Sequence, residues 1–211
     1  MLLGLTGGYC AGKNAVASIL EGQGWTCIDV DRLGHEAMEL ARDAIAARFG
    51  AGILDAEGRL DKRALARILF ADPAALRDQE AIVHPIAGRL TQERVAAAQA
   101  AASAAGREPR VCINAALLYR MTQAGACDAI IEVRAPLLLR LRRARARDGI
   151  GFLGALQRIR SQDYFWALRE KTGRPVLYLW NKAGKVELEA SLGLKLEELM
   201  ALPQALSGVR N

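Results

Sequence analysis

The 211-residue chain is short of the residues that would mark several common classes. Aromatic residues make up 5% of it, there are 4 cysteines and 6 prolines, and no apolar run reaches bilayer length. A membrane helix needs roughly 18 or more consecutive apolar residues, so a spanning segment is not expected. Cys10, Cys27, Cys112 and Cys127 are widely spaced and form no C-x-x-C pair, which argues against a disulfide framework or a zinc site and for a reduced protein. Met1 runs straight into Leu2, Leu3, Gly4 and Leu5 with no basic stretch before it, so no secretory signal is expected and the default compartment is the cytoplasm. No internal repeat and no long linker divides the chain.

What is present is an ordinary globular balance, 52% hydrophobic and 25% charged, with a formal net charge of +6. The size suits one domain with insertions, and the charge suits anionic partners. Arginines cluster at positions 134, 140, 142, 143, 145 and 147. A solvated helix face, phosphate contact and a nucleic-acid arm all fit such a cluster. Its alternation with leucine and alanine reads as helical, and the lack of interleaved aromatics disfavours nucleic acid. No nucleic-acid or membrane partner is expected, and the protein is expected to be a monomer or weak homo-oligomer.

Short apolar runs at Leu2–Thr6, Trp25–Asp29, Val111–Asn114, Ala129–Val133 and Val176–Trp180 read as buried strands separated by helical patterns. That alternation predicts an α/β fold with a mainly parallel sheet and helices on both faces. An Ala-rich helical stretch interrupts it over about 36–106, read as a helical insertion at about 50–106 in a single domain. Asp61 is placed to cap a helix after the turn Gly58-Arg59-Leu60, and Pro85 and Gly88 punctuate the stretch.

The most informative segment is Gly7-Gly8-Tyr9-Cys10-Ala11-Gly12-Lys13-Asn14, a G-x-x-x-x-G-K phosphate loop with asparagine where serine or threonine is usual. Glycines let successive backbone N–H groups turn toward phosphate oxygens, and the following helix adds its positive end. Gly8, Cys10, Ala11, Gly12, Lys13, Asn14 and Ala15 are therefore the expected nucleotide-binding residues. Lys13 reaches the terminal phosphates as a point charge. The Asn14 carbonyl is a hard oxygen suited to Mg²⁺, in place of the usual hydroxyl. The expected co-substrate and cofactor are ATP and Mg²⁺.

Beyond the loop, Asp29 and Asp31 stand at the end of a predicted strand, where ligands bind in open α/β folds. Asp31 reads equally as the N-cap of a helix over Arg32–Phe49. His84 precedes Pro85 and is biased to extended backbone. Arg143 and Arg147 are four apart and share a helix face. Tyr164, Phe165 and Trp166 read as packing rather than a base platform.

Several blocks together resemble the dephospho-coenzyme A kinase family. They are the run Leu3–Ala15, Ile28-Asp29-Val30-Asp31, Gly58-Arg59-Leu60-Asp61, Ile68-Leu69-Phe70-Ala71-Asp72-Pro73 and Glu80-Ala81-Ile82-Val83-His84-Pro85. Arg147-Asp148-Gly149 and Arg158-Ile159-Arg160-Ser161-Gln162 are similar to its lid, and Asn181 to its adenine-site asparagine. The likeness covers about residues 1–185. It implies a three-layer P-loop kinase fold with a helical acceptor insertion and an arginine-rich lid at about 138–170. It also implies transfer of the ATP γ-phosphate to the ribose 3′-hydroxyl of dephospho-coenzyme A. Lys13, Asp31 and Arg147 are then the expected catalytic residues, and Asp31 and His84 bind the acceptor. The chain departs from the pattern at Asn14, at Asn114 and Arg120 in the block Asn114–Arg120, and at Gly88. Those departures keep two alternatives open: a P-loop kinase acting on another small hydroxyl acceptor, and a low-turnover nucleotide or coenzyme A binding protein.

Overall fold

The computed structural model describes residues 1–182 and 184–201, with the side chains of residues 163–165 left out of account. The Tyr164 and Phe165 packing assignments therefore lie outside what is described. Two compact units emerge, one formed by Met1–Ile28 with the chain from Val95 on, the other by Asp29–Arg94.

The first unit holds a five-stranded sheet in the order β2-β3-β1-β4-β5. Its strands are β1 (Leu2–Gly7), β2 (Thr26–Asp29), β3 (Val111–Asn114), β4 (Ala129–Arg134) and β5 (Val176–Trp180). β1 pairs in parallel with β3 and β4, and β4 with β5. The sheet is the parallel α/β architecture that the apolar runs predict, with each run within a residue of its strand. Because side chains alternate along a strand, the two faces differ sharply. Leu3, Leu5, Ile131, Val133, Leu177 and Leu179 share one buried cluster with Val16 and Leu20 of α1 (Lys13–Gly22) and with Leu188 and Leu192 of α8 (Lys185–Ala201). Each such leucine contributes about 1.5–3 kcal/mol by leaving water. The residues between them, Glu132 and Arg134 on β4 and Tyr178 and Trp180 on β5, lie on the other face. α6 (Leu137–Asp148) and α7 (Phe152–Arg160) follow β4, and a 3-10 segment, Asp163–Thr172, leads to β5.

The second unit is helical, with α2 (Val30–Leu40), α3 (Arg42–Phe49), α4 (Lys62–Ala71) and the first two-thirds of α5 (Pro73–Ala104). Asp61 caps α4 as expected, accepting from the N–H groups of Arg63 and Ala64 at 2.9 and 3.1 Å. Three expectations fail here. The N-cap of α2 is Asp29, accepting from the Arg32 N–H at 3.2 Å, so Asp31 falls in the first turn, and the predicted single helix breaks at Ala41. His84 is not extended, because α5 runs through Pro85. Pro85 has no N–H for the Ala81 carbonyl, yet Ala81 and Pro85 lie on the exposed side, where solvent can reach that carbonyl, while Val83, Ala87 and Leu90 keep the opposite stripe buried.

All four cysteines are free thiols. Burial pushes the Cys127 thiol up to about 12. No described helix is long and apolar enough to cross a membrane.

Candidate active site

The phosphate loop leaves the C-terminal end of β1 and closes onto α1. Its conformation explains its composition. Gly12 has φ 103°, a left-handed geometry that favours glycine, and a Cβ there would collide with the Asn181 amide. A Cβ at Gly8 would strike the Arg140 guanidinium. Cys10, at φ 58°, is the one non-glycine residue with positive φ among those described, the kind of backbone strain that gathers at functional loops. Lys13 begins α1 with 9% exposure, and Asn14 and Ala15 are exposed in its first turn.

The loop's carbonyls are held from outside. Asn181, just past β5, donates Nδ2 to the Ala11 carbonyl at 2.9 Å and accepts at Oδ1 from Arg143 Nη2 at 3.0 Å. Arg143 Nη1 reaches the Ala11 and Cys10 carbonyls at 3.2 and 3.4 Å, and Arg140 Nε the Tyr9 carbonyl at 2.8 Å. Each bond ties up a carbonyl lone pair, so the loop can turn its N–H groups the other way. Asn181, singled out in the sequence, thus sits beside the loop. Spacing alone did not reveal the loop-bracing part played by Arg140 and Arg143.

Tyr9 is the centre of a second arrangement. Its N–H donates to Gln162 Oε1 at 2.6 Å, and its hydroxyl to Asp148. Asp148 also binds Arg147 Nε at 2.8 Å and Arg158 Nη1 at 3.2 Å, and both guanidiniums lie over the Tyr9 ring at 5.0 and 5.7 Å. The hydrogen bonds from Arg147 and Tyr9 hold the Asp148 carboxyl well below the usual carboxylate range, while burial and the Asp148 bond raise the Tyr9 phenol. Arg147, expected at the transferring phosphate, is here engaged with Asp148 and Tyr9.

A third cluster was missed from sequence. Glu132, 2% exposed, accepts from Tyr119 OH at 2.9 Å, Arg134 Nε at 2.7 Å and Arg169 Nε at 2.8 Å. Burial and the Glu132 charge push the Tyr119 phenol well above its ordinary value. Trp166 meets the Tyr119 ring edge-on at 6.0 Å. The signal was available: a lone glutamate inside the apolar run Ala129–Val133 must find partners or be heavily destabilising.

For a divalent cation, Asn14 offers a carbonyl at the loop's helix start. Asn114 ends β3 beside β1, 4% exposed, and its Oδ1 is the buried side-chain oxygen that lacks a hydrogen-bond partner among the described residues. Such orphans are rare without an ion or water. Among the described residues no three His, Cys, Asp or Glu side chains converge to hold a metal. Mg²⁺ fits such a sparse set, since it keeps waters and takes substrate phosphate oxygens. Asp31 and His84 belong to the helical unit, both exposed, on α2 and α5.

Comparison with known proteins agrees with this architecture. The dephospho-CoA kinase family model matches residues 1–182. A dephospho-CoA kinase of Geobacter metallireducens is 39% identical over 198 residues, 86% of this chain and 96% of its own. One from Thermus thermophilus is 34% identical over 199 residues, 94% of this chain and 92% of its own. The crystal structure of TT1252 from Thermus thermophilus superposes with a TM-score of 0.75 at 33% identity, covering 94% of this chain and 97% of that one. A Campylobacter jejuni dephospho-CoA kinase, 18% identical, shares the fold with a TM-score of 0.60, covering 94% of this chain and 96% of that one. Phosphate loop, sheet order and family match agree along nearly the whole chain, and the protein belongs to the dephospho-CoA kinase family.

Proposed function

We propose that the protein transfers the γ-phosphate of ATP to the ribose 3′-hydroxyl of dephospho-coenzyme A, giving coenzyme A and ADP. The observation that carries this reading is the braced phosphate loop opening α1 with Lys13, in a chain of this family. In the transfer, the acceptor oxygen bonds to the γ-phosphorus as the bond to the β–γ bridging oxygen breaks. ADP leaves with that electron pair, and the hydroxyl proton passes to a base. Lys13 and the loop N–H groups stabilise the phosphate charge. Asp31 orients the acceptor hydroxyl, His84 lines the acceptor pocket of the helical insertion at about 50–106, and Asn181 borders the adenine. Arg147 reaches phosphate by exchanging Asp148 for it as the lid at about 138–170 closes. Asn14 and Asn114 would hold Mg²⁺, directly or through water, and the ion would supply charge neutralisation to the phosphates.

ADP release with dephospho-coenzyme A, with and without Mg²⁺, tests the reading, with NMR assigning the phosphorylated ribose position. Turnover should need the cation, and Lys13→Ala should cost roughly a hundredfold or more while leaving the thermal midpoint in place. A near-normal rate for that variant, or phosphate on another hydroxyl, would refute it. Asn14, Asn114 and Arg120, where the family pattern is hydroxyl or acidic, favour the second reading of a low-turnover binding protein. Tight ATP binding with no ADP formed under any divalent cation would establish that instead.

A further inference from the structure

A cavity of about 330 Å³ opens beside the phosphate loop, lined by Gly8, Ala11, Arg140, Trp166, Arg169 and Trp180 among others, with Glu132 and Arg134 at its β4 wall. Three guanidiniums face one carboxylate there, so the cavity carries a surplus of positive charge next to the loop that handles phosphate. Of the three, Arg140 is engaged by the Tyr9 carbonyl, while Arg134 meets Glu132 through Nε alone at 2.7 Å and lies over the Tyr178 ring at 3.7 Å from its centroid. Arg169 is held at two nitrogens. Glu132 engages its Nε and Nη2 at 2.8 and 2.7 Å, and the rings of Tyr178, Tyr119 and Trp166 surround it at 5.4, 5.8 and 5.9 Å. A guanidinium fixed by a buried carboxylate and three rings has little rotamer freedom left to lose when a ligand arrives.

The geometry points to Arg169 as a phosphate-contacting residue of the transfer site, with Glu132 as the residue that positions it. That role gives a reason for a buried charge within the apolar run Ala129–Val133: Glu132 sets the plane of a guanidinium rather than merely neutralising it. With Nε and Nη2 on Glu132, the remaining N–H groups of a fixed, planar guanidinium meet phosphoryl oxygens with more direction than an ammonium does. The inference rests on the proposed phosphotransfer and is tested within it.

Steady-state kinetics at varied ATP should be compared for the unaltered protein, Arg169→Ala, Arg169→Lys and Glu132→Gln, each with its thermal midpoint. Arg169→Ala is expected to lower kcat about a hundredfold or more, with a much smaller change in the KM for ATP. Added guanidinium ion at non-denaturing concentration should restore part of the rate. Arg169→Lys keeps the charge against Glu132 and so preserves folding, and should still lose most of kcat. Glu132→Gln should fall between the unaltered protein and Arg169→Ala. If Arg169→Ala does not fold, Arg169→Lys decides by the same criterion. Lower midpoints with kcat unchanged within about threefold, or no rescue by guanidinium, would reduce Arg169 to a counter-ion of Glu132 and overturn the inference. No turnover by the unaltered protein would instead count against the proposed function itself.

Discussion

The helices α6 and α7 and the sheet carry two clusters built from the same four groups: one carboxylate, one tyrosine and two arginines. Asp148, Tyr9, Arg147 and Arg158 form the first, and Glu132, Tyr119, Arg134 and Arg169 the second. In the first, the arginine side chains are 60% and 55% exposed and that of Asp148 21%; in the second, the arginine side chains are 35% and 22% exposed and that of Glu132 3%. Identical chemistry therefore has opposite consequences. Water and salt compete for every bond of the outer cluster, so it can open and reform. In the inner one Glu132 has already lost its hydration, so a missing partner leaves its charge stranded. One is suited to a latch between α6, α7 and the phosphate loop, the other to a fixed mount.

The comparison is sharpened most by removing each carboxylate in turn. Glu132→Ala should cost about 3–5 kcal/mol in urea unfolding, the range for breaking a buried ion pair. Asp148→Ala should leave the midpoint almost where it was. Equal losses would break the distinction. Next in size is the phenol. Tyr119→Phe removes a donor to a buried carboxylate and should cost about 1.5–3 kcal/mol, whereas Tyr9→Phe should show mainly in kinetics.

The pH response follows from the direction of each shift. Tyr119 has a raised phenol, so its contribution is full below the ordinary tyrosine value of about 10. It declines above that value, where the unfolded chain ionises first. Asp148 has a lowered carboxyl, so its contribution holds above about 4 and fades as acid overtakes its depressed value. Chemical denaturation across alkaline pH should show a falling stability that Tyr119→Phe flattens; an unchanged slope would mean that another group titrates there. The smallest expected effect is that of salt. Raising ionic strength from about 0.05 to about 1 M shortens the screening length to roughly 3 Å and should shift the midpoints of the unaltered protein and Asp148→Ala toward each other. Divergence would place the strength of the latch elsewhere.

Much of this was legible in the chain. The phosphate loop declares itself because glycine spacing and a following lysine are local properties, and each strand because burial on a parallel sheet demands a continuous apolar run. Asp61 was legible as a cap for the same local reason. Asp31 was read as a possible N-cap, but Asp29 takes that place, because the choice depends on where β2 stops. The passage of α5 through Pro85 depends on which side of the helix meets water, which sequence does not show directly. The Glu132 cluster draws on Tyr119 and Arg169, 13 and 37 residues away, and no periodicity links such positions.

The bond from Asn181 to the Ala11 carbonyl joins residues 170 positions apart. During synthesis the loop therefore emerges long before its brace. β1 must likewise wait for β3 and then β4, which flank it. A nascent chain halted before β5 would thus present the glycines and Lys13 without the amide that fixes their turn. Nucleotide would find the loop ready only once Asn181 has followed. Until then a segment made early waits for one made much later, a stage when exposed strand edges invite aggregation and chaperones have most to do.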